Sequence, residues 1–515
     1  DPTSSGLLEK DQQGTADVHT YNYWSSPVGE TNATTNNNSY SVADVMYDGV
    51  NPINFITSGY DGSDGSTISI ADYWIWKFAN QLDYNYSAWQ HVRRNGTLLV
   101  GEGFTMKGPG SGTIVDQQNY VFQGKPNNGD INLTLNAGND YLVGNPYPSA
   151  INANTFITDN GPTITGSGAD PLISGTLYFW EHWGGGSHNL SQYQGGYATY
   201  NFSGGVAAPS LGTNDPNVGT GGTPTKIPGL YIPVSQGFFV IGETSGTINF
   251  NNGQREYKKE KFSGADSSVF VRSSDATANA SDDNEAIDER MKFRIGFNSI
   301  NTIHRQLLLT IDEATTTGYD WSYDAMTYDN QMDDLYWMID DQQYTIQGSN
   351  EAEPESVYPL GIKCNNDGLN TITIDDLENV PDSVDIYIHD LENNTYHDLR
   401  AADFEFILPA GEHLNRFELT FSDANADALG VNDTALHTID VFYNLETESI
   451  ALYNPAFVDI KSIELYNLLG QQVAKIKDIS ELDYSEYKVK NLSTGTYILK
   501  IDTLSGLLSK KVLVK

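Results

Sequence analysis

The chain has 515 residues, 67 of them acidic and 28 basic, for a formal net charge of −39. That charge excludes nucleic acid as a partner and argues against adhesion to anionic lipid, since both need clustered Lys and Arg. It suits solubility outside a cell and offers oxygens to divalent cations. Cys364 is the one cysteine, so no intrachain disulfide forms and stability must rest on core size or on metal ions. No apolar run approaches the roughly 20 residues of a membrane helix. The sequence starts at Asp1 with no leader, so for an exported protein it is expected to be a processed or partial chain.

Short apolar runs alternate with Gly, Asn, Asp and Ser clusters along the whole length, and long amphipathic helical periodicity is nearly absent. That pattern predicts an all-β protein. Residues 1–272 contain an internal echo. Val100–Ile114 aligns without gaps on Val234–Ile248 at an offset of 134, with eight of 15 positions identical. An aromatic run precedes each copy, Tyr73–Phe78 in one and Leu177–Trp183 in the other, and each run follows a proline corner, Tyr23–Pro27 and Gly144–Pro148. Three landmarks in the same order, twice, predict a duplicated β domain of two similar units. Two copies are too few for a solenoid.

Residues 273–289 hold almost no large apolar side chain and read as a linker. Residues 290–421 follow as half-buried strands spaced by turns, which predicts a β-sandwich. A second linker spans 422–437, and 438–515 give about seven short β segments. The last, Lys510–Lys515, runs to the end of the sequence, so the terminus is expected to be a strand built into a sheet. Gly470 and Gly495 are expected to hold turns.

Within this last stretch, Ile463–Val473 contains Leu468-Leu469-Gly470-Gln471-Gln472-Val473. Leu492-Ser493-Thr494-Gly495-Thr496-Tyr497-Ile498-Leu499-Lys500-Ile501 follows, and then Lys510-Lys511-Val512-Leu513-Val514-Lys515. These three ordered motifs resemble the type A C-terminal sorting domain of the type IX secretion system of Bacteroidetes. The family's opening Val-Tyr-Pro-Asn-Pro strand is replaced here by Val441-Phe442-Tyr443-Asn444-Leu445. The resemblance implies an immunoglobulin-like seven-stranded domain whose signal involves Gly470, Gln471, Gly495, Tyr497, Lys511, Val512, Val514 and Lys515. It implies export across the outer membrane to the cell surface or the medium. The implied partners are the translocon, a shuttle barrel, and a surface peptidase that removes the domain. The arrangement as a whole also resembles the C-terminal regions of large flavobacterial surface proteins and adhesins.

Candidate binding chemistry is sparse. Trp74, Trp76, Trp89, Trp180 and Trp183 are the tryptophans of the first domain's aromatic patches. Trp180 and Trp183 are the candidate glycan-binding pair; the competing reading is that such aromatics fill a sheet core. Asp61-Gly62-Ser63-Asp64-Gly65-Ser66 has calcium-loop character at Asp61 and Asp64, but lacks the closing Glu of an EF-hand. Glu181, His182 and His188 cluster in sequence without the full ligand set of a metal site. Asp333-Asp334 and Asp340-Asp341 flank an apolar run and read as solvated turn residues rather than a catalytic pair. Cys364 ends an apolar run, which argues against a nucleophile. Ser383 and Thr434 sit in Asp-Ser/Thr-apolar triplets, the pattern on which exported Bacteroidetes proteins carry O-glycans, and Thr503 sits in a third.

The sequence thus reads as a non-catalytic, adhesive or structural cargo of the type IX pathway, with no cofactor beyond candidate calcium. The alternative is a glycan-binding accessory region of a polysaccharide-degrading enzyme whose catalytic domain lies upstream. A polysaccharide or another surface is the expected target.

Overall fold

The computed structural model describes residues 4–514 except 33, 83–84, 111, 114–115, 163–169, 185, 190–191, 212–223, 225, 260–287, 330, 424–438, 445–446, 455–458, 468–470, 478, 480–481, 483, 491 and 504–506. The protein is all-β, and among the described residues no helix is long and apolar enough to cross a membrane. Residues 1–421 form one compact unit and residues 422–515 another.

The internal echo corresponds to a repeated strand plan. The first copy has β1 (Leu8–Thr15), β2 (Tyr21–Trp24), β3 (Trp76–Lys77), β4 (Gln90–His91), β5 (Phe104–Lys107) and β6 (Gln117–Pro126). The second has β7 (Ile131–Leu135), β8 (Asn139–Gly144), β9 (Leu177–Gly184), β10 (Gln194–Asn201), β11 (Gly204–Val206), β12 (Ser210–Leu211), β13 (Gly237–Ile241) and β14 (Gly246–Phe250). The strand order β4-β3-β5-β2 recurs as β10-β9-β13-β8. The antiparallel pair β1–β6 recurs as β7–β14.

Register follows the same rule. Phe104 pairs with Trp24 and Phe238 with Val143, and both phenylalanines are fully buried at equivalent positions. The copies meet reciprocally. Trp24 bridges to Gln236 while Val143 bridges to Glu102. The Ser25 N–H donates to the Ser235 carbonyl at 2.9 Å, and the Gly144 N–H donates to the Gly101 carbonyl at 3.0 Å. Exchanging the copies exchanges these contacts, which is what a local twofold axis at the seam produces. Each copy packs its own core, one around Trp24, Phe104 and Phe122, the other around Phe179, Phe238 and Phe250.

The segment after 289 adds a sheet of its own. Its strands are β15 (Lys292–Asn298), β16 (Ile303–Ile311), β17 (Ala325–Met326), β18 (Asp334–Ile339), β19 (Gln342–Ser349), β20 (Val357–Cys364), β21 (Gly368–Glu378), β22 (Tyr387–Asp390), β23 (Thr395–Asp398), β24 (Phe404–Leu408) and β25 (Gly411–Thr420). They run in the order β23-β22-β25-β20-β18-β19-β16-β15-β21-β24, with β12 on β16 and β17 on β19. The sheet curls on itself: Phe406 of one edge strand packs 4.9 Å from Phe417 of β25, near the other edge. One core around Phe293, Trp337, Leu360 and Leu419 fills the interior.

The expected first and middle domains pack as one unit. Residues 203–211 lie on the outer face of the curled sheet. There Thr310 Oγ1 donates to the Ser203 carbonyl at 2.9 Å and Arg294 to the Gly205 carbonyl at 2.8 Å, while Val206 packs on Leu308, Ala325 and Ile346.

The second unit is a seven-stranded sandwich. One sheet orders β26 (Asp440–Asn444), β27 (Ser449–Tyr453) and β30 (Tyr484–Lys488). The other orders β29 (Gln472–Ile476), β28 (Ile460–Asn467), β31 (Gly495–Thr503) and β32 (Leu507–Val514). Val441, Ile450 and Leu452 of the first meet Leu465, Leu499, Val512 and Val514 of the second in one core. The departing Val441–Asn444 sequence still makes a hairpin, with Asn444 opposite Ser449.

Candidate functional site

An aromatic cavity lies where the two copies meet. Tyr21 and Tyr23 project from one face of β2, as residues two apart on a strand must. Tyr23 pairs in register with Thr105, and Thr105 with Trp76, so these side chains form a row across three strands. Trp180 and Tyr197, register partners on β9 and β10, form the facing wall. With Trp89 and Tyr193 they line a cavity of about 210 Å3. Seven of its eight lining residues are aromatic, and none carries a carboxyl group. Tyr23 stacks on Trp180 at 5.9 Å and 11°, and the Tyr23 and Tyr197 hydroxyls are 3.1 Å apart. Burial pushes the Tyr23 hydroxyl well above its usual pKa, with the neighbouring Tyr197 hydroxyl adding to the rise.

The repeat explains why there is space. Thr105 is the counterpart of Phe239, which is 2% exposed and packs its ring among Tyr23, Phe78 and Trp89. A threonine at the first-copy position leaves the room that a ring would fill. Its hydroxyl is not idle: it donates to the Trp74 carbonyl at 2.8 Å and accepts the Trp76 N–H at 3.2 Å, fixing the strand that carries Trp76.

One end of the cleft is built on a buried lysine. Lys107 lies two residues beyond Thr105, on the same face of β5, and is 1% exposed. Its Nζ donates to the Tyr193 hydroxyl at 2.6 Å and lies 3.7 Å from the Trp74 ring centroid, 4.6 Å from that of Tyr21 and 4.7 Å from that of Tyr193. Burial lowers its pKa to about 7, against the opposing pull of Asp17 and Asp61. On its far side, Nζ is 3.1 Å from His188 Nδ1, and His188 Nε2 is 2.7 Å from Asp61 Oδ1. His19 completes this group, its ring 4.6 Å from that of His188.

The residues singled out in sequence are distributed by strand geometry. Trp180 is half-buried in the cleft wall, whereas Trp183 is 5% exposed in the second-copy core, so the two do not form one binding pair. The odd spacing puts them on opposite faces of β9. Trp76 and Trp89 line the cleft, and Trp74 lies beneath Lys107. Glu181 and His182 are likewise on opposite faces, both buried. Glu181 accepts the Lys226 N–H, while His182 Nδ1 accepts the Tyr21 N–H. Burial lowers the His182 pKa to about 3, so the ring is neutral. His188 leaves both and joins Asp61; Asp64 is exposed and is not in that group.

Asp333 and Asp334 are fully buried rather than solvated. Arg305, itself buried, holds Asp334 in a two-pronged pair at 2.6 and 2.9 Å, and Asp329 at 2.9 Å, while Asp333 accepts from the Asn301 amide at 2.8 Å and the Asn365 N–H at 2.6 Å. Asp340 and Asp341 are exposed, with φ of 49° and 61°, and make the turn between β18 and β19. Cys364 is buried, which pushes its thiol up to about 11. Ser383 is exposed in a turn and Thr503 is buried in β31. Thr434, Gly470 and Lys515 lie outside the described residues.

In the terminal sandwich, Gly495 is not a turn residue. It opens β31 opposite Val514, and the turn lies just before it. Tyr497 closes that turn: its ring is in the core and its hydroxyl donates to the Ser493 carbonyl at 3.0 Å. Gln471 sits in the β28–β29 connection, where its N–H donates to Asn467 Oδ1 at 2.9 Å. Val512 and Val514 are buried and Lys511, just before them, is exposed, the alternation expected of a half-buried strand.

Residues 3–421 match a family described as a domain of unknown function, DUF8693. The chain belongs to that family. Residues 444–515 match the secretion system C-terminal sorting domain. The DUF8693 region is therefore the body of a cargo that the type IX secretion system of Bacteroidetes exports across the outer membrane, to the cell surface or the medium. The sorting domain is the part that engages the secretion machinery. No curated protein matches the chain.

Sequence reading missed Thr105, Lys107, His19 and the tyrosine walls of the cleft. Part of the signal was present. In the aligned repeat, Thr105 and Lys107 face Phe239 and Ile241, two polar departures on one strand face.

Proposed function

We propose that the DUF8693 region is a non-catalytic adhesive module that attaches the exported protein to polysaccharide through the aromatic cleft. One observation carries this reading: indole and phenol rings line an open cavity. Sugar rings present flat C–H faces that stack on aromatic faces, and the tyrosine hydroxyls offer hydrogen bonds to sugar hydroxyls. The cavity is smaller than the about 300–1,000 Å3 of closed small-molecule sites, as suits a site that grips part of a polymer. Hydrolysis of a glycoside needs two carboxyl groups across the bond, and the lining of this cleft offers none.

The sorting domain's expected partners are the outer-membrane translocon and a shuttle barrel, with a surface peptidase removing the domain after export. Ser383, exposed in its turn, suits O-glycosylation of the exported protein. An accessory role beside a polysaccharide-degrading domain would use the same cleft.

The test is retention of the full chain in gels containing each of a panel of bacterial, algal and plant polysaccharides, alongside Trp76→Ala and Trp89→Ala. At least one polysaccharide should retard the native chain, and each variant should weaken that binding about tenfold, the worth of one stacked ring. Retention that both folded variants keep, or no retention on any polymer, defeats the reading.

A further inference from the structure

We propose that His19, Asp61 and His188 form a binding site for a divalent metal ion of the zinc class. Each offers a ligand atom, and these atoms lie within 4.8 Å of one another; it is the one such trio among the described residues. The three come from separate connections: His19 from that between β1 and β2, Asp61 from the loop before β3, His188 from that between β9 and β10. Ligands about 2.0–2.2 Å from a metal stand roughly 3.3–3.5 Å apart in a tetrahedron. His188 Nε2 and Asp61 Oδ1 are already at 2.7 Å. The trio therefore needs adjustments of about an ångström, on side chains that are half-buried or exposed.

The surroundings hold the two imidazoles in place. A ligating imidazole is normally held by a partner on its other nitrogen. Behind His188, Lys107 Nζ lies 3.1 Å from Nδ1 and the ring stacks on Trp74 at 4.7 Å and 21°, which fixes the imidazole with Nε2 toward Asp61. Behind His19, the Asp17 carboxylate lies 3.8 Å from Nδ1 and accepts the His19 backbone N–H at 2.8 Å. The Asp17 loop is itself tied down, since Val18 N–H donates to the Gly110 carbonyl at 3.1 Å. The Asp61 loop is closed by reciprocal Ser63–Ser69 backbone bonds of 2.9 Å. His19 and Asp61 thus start from anchored backbone, and the His188 ring is held by its neighbours.

The donor set decides the metal. Calcium takes six to eight hard oxygens, and here two of three donors are imidazole nitrogens. Two histidines and one carboxylate suit zinc, nickel, copper or iron. Water or a ligand would complete the coordination, as in open sites. The ion would replace the hydrogen bond between His188 Nε2 and Asp61, the ring proton moving to Nδ1 and Lys107 turning its hydrogens to the Tyr193 hydroxyl. It would also clamp the β9–β10 connection, which carries Tyr193 into the cleft wall.

The test uses the full chain stripped with chelator. Calorimetry with zinc chloride should show one ion per chain and a raised melting temperature. Cobalt(II) should give the visible absorption of a nitrogen-ligated site. Asp61→Asn and His19→Ala, both at surface positions, should each weaken zinc binding by at least the about 10–100-fold that outer-shell changes cause. Calcium at the same concentration should leave the melting temperature unchanged. No zinc uptake, uptake that both variants retain at native affinity, or a calcium shift abolished by Asp61→Asn would overturn the proposal. If His19→Ala fails to fold by circular dichroism, Asp61→Asn and the cobalt spectrum still decide it.

Discussion

Trp180 and Trp183 sit three residues apart on β9, and truncating each to alanine separates core from cleft. Trp183 is 5% exposed and packs in the second-copy core. A buried tryptophan covers about 150–250 Å2, worth about 4–6 kcal/mol at 25 cal/mol per Å2; measured truncations of this kind cost about 3–5 kcal/mol because the site partly collapses. Trp183→Ala should therefore lower stability by about 3–5 kcal/mol, while the folded fraction keeps its polysaccharide affinity. Trp180 is half-buried: one face lies on Tyr23 at 5.9 Å and an edge meets Tyr197 at 5.2 Å. About half the area term remains, so Trp180→Ala should cost about 2–3 kcal/mol and should also weaken polysaccharide binding about tenfold. Urea unfolding followed by fluorescence gives the stabilities, and retention in polysaccharide gels gives the affinities. If Trp183→Ala lost binding at unchanged stability, or Trp180→Ala left binding untouched, the assignment of the two faces would be refuted.

Two further outcomes follow from buried charge and from the terminal strand. Burial raises the Asp324 carboxyl to about 7, against N–H donors from Asp320 and Gly348. Because the folded pKa lies above the unfolded one, native stability contributed by this group is full below about pH 4 and is lost as pH rises to about 7, by at most about 4 kcal/mol; in Asp324→Asn, urea unfolding between pH 4 and 8 should lack that component, and an unchanged pH slope would contradict it. Deleting Lys510–Lys515 removes Val512 and Val514 from the terminal core, so in a bacterium with the type IX pathway the protein should accumulate in the periplasm, and normal surface display would contradict the role of this strand.

How much could be read from sequence depended on range. Ile131-Asn132-Leu133-Thr134-Leu135 alternates buried and exposed, as its letters alone require. The terminal Lys511-Val512 alternation was as legible, and so was the repeat, because duplication preserves spacing. What was not legible was contact between distant segments. His19, Asp61 and His188 meet from loops whose approach no periodicity encodes. Asp333 and Asp334 look like turn acids until Arg305, on a neighbouring part of the sheet, is seen to neutralise Asp334, and Asn301 and the Asn365 N–H to bind Asp333. Gly495 looked like a turn residue because glycine usually marks one, yet it opens β31, paired with Val514. The joining of 1–272 to 290–421 was hidden for the same reason: only the curled sheet shows what residues 203–211 cover.

The duplicated architecture also accounts for where the candidate sites fall. Two similar units related by a local twofold meet at a seam whose contacts are reciprocal, Trp24 with Gln236 and Val143 with Glu102. A symmetric seam between two β units would be filled the same way on both sides, and a filled seam binds nothing. Here the symmetry is kept in the backbone and broken in the side chains. At the equivalent positions of β5 and β13, Thr105 stands against Phe239 and Lys107 against Ile241. The first difference leaves space between aromatic walls; the second places a cation over the Trp74, Tyr21 and Tyr193 rings and against His188. In the second copy the same strand face carries Phe239 and Ile241, packed in an apolar cluster with Phe78 and Leu142. Two substitutions on one face of one strand therefore suffice, on a scaffold that both copies hold rigid, to turn half of a packing interface into a cleft with a polar, histidine-lined rim.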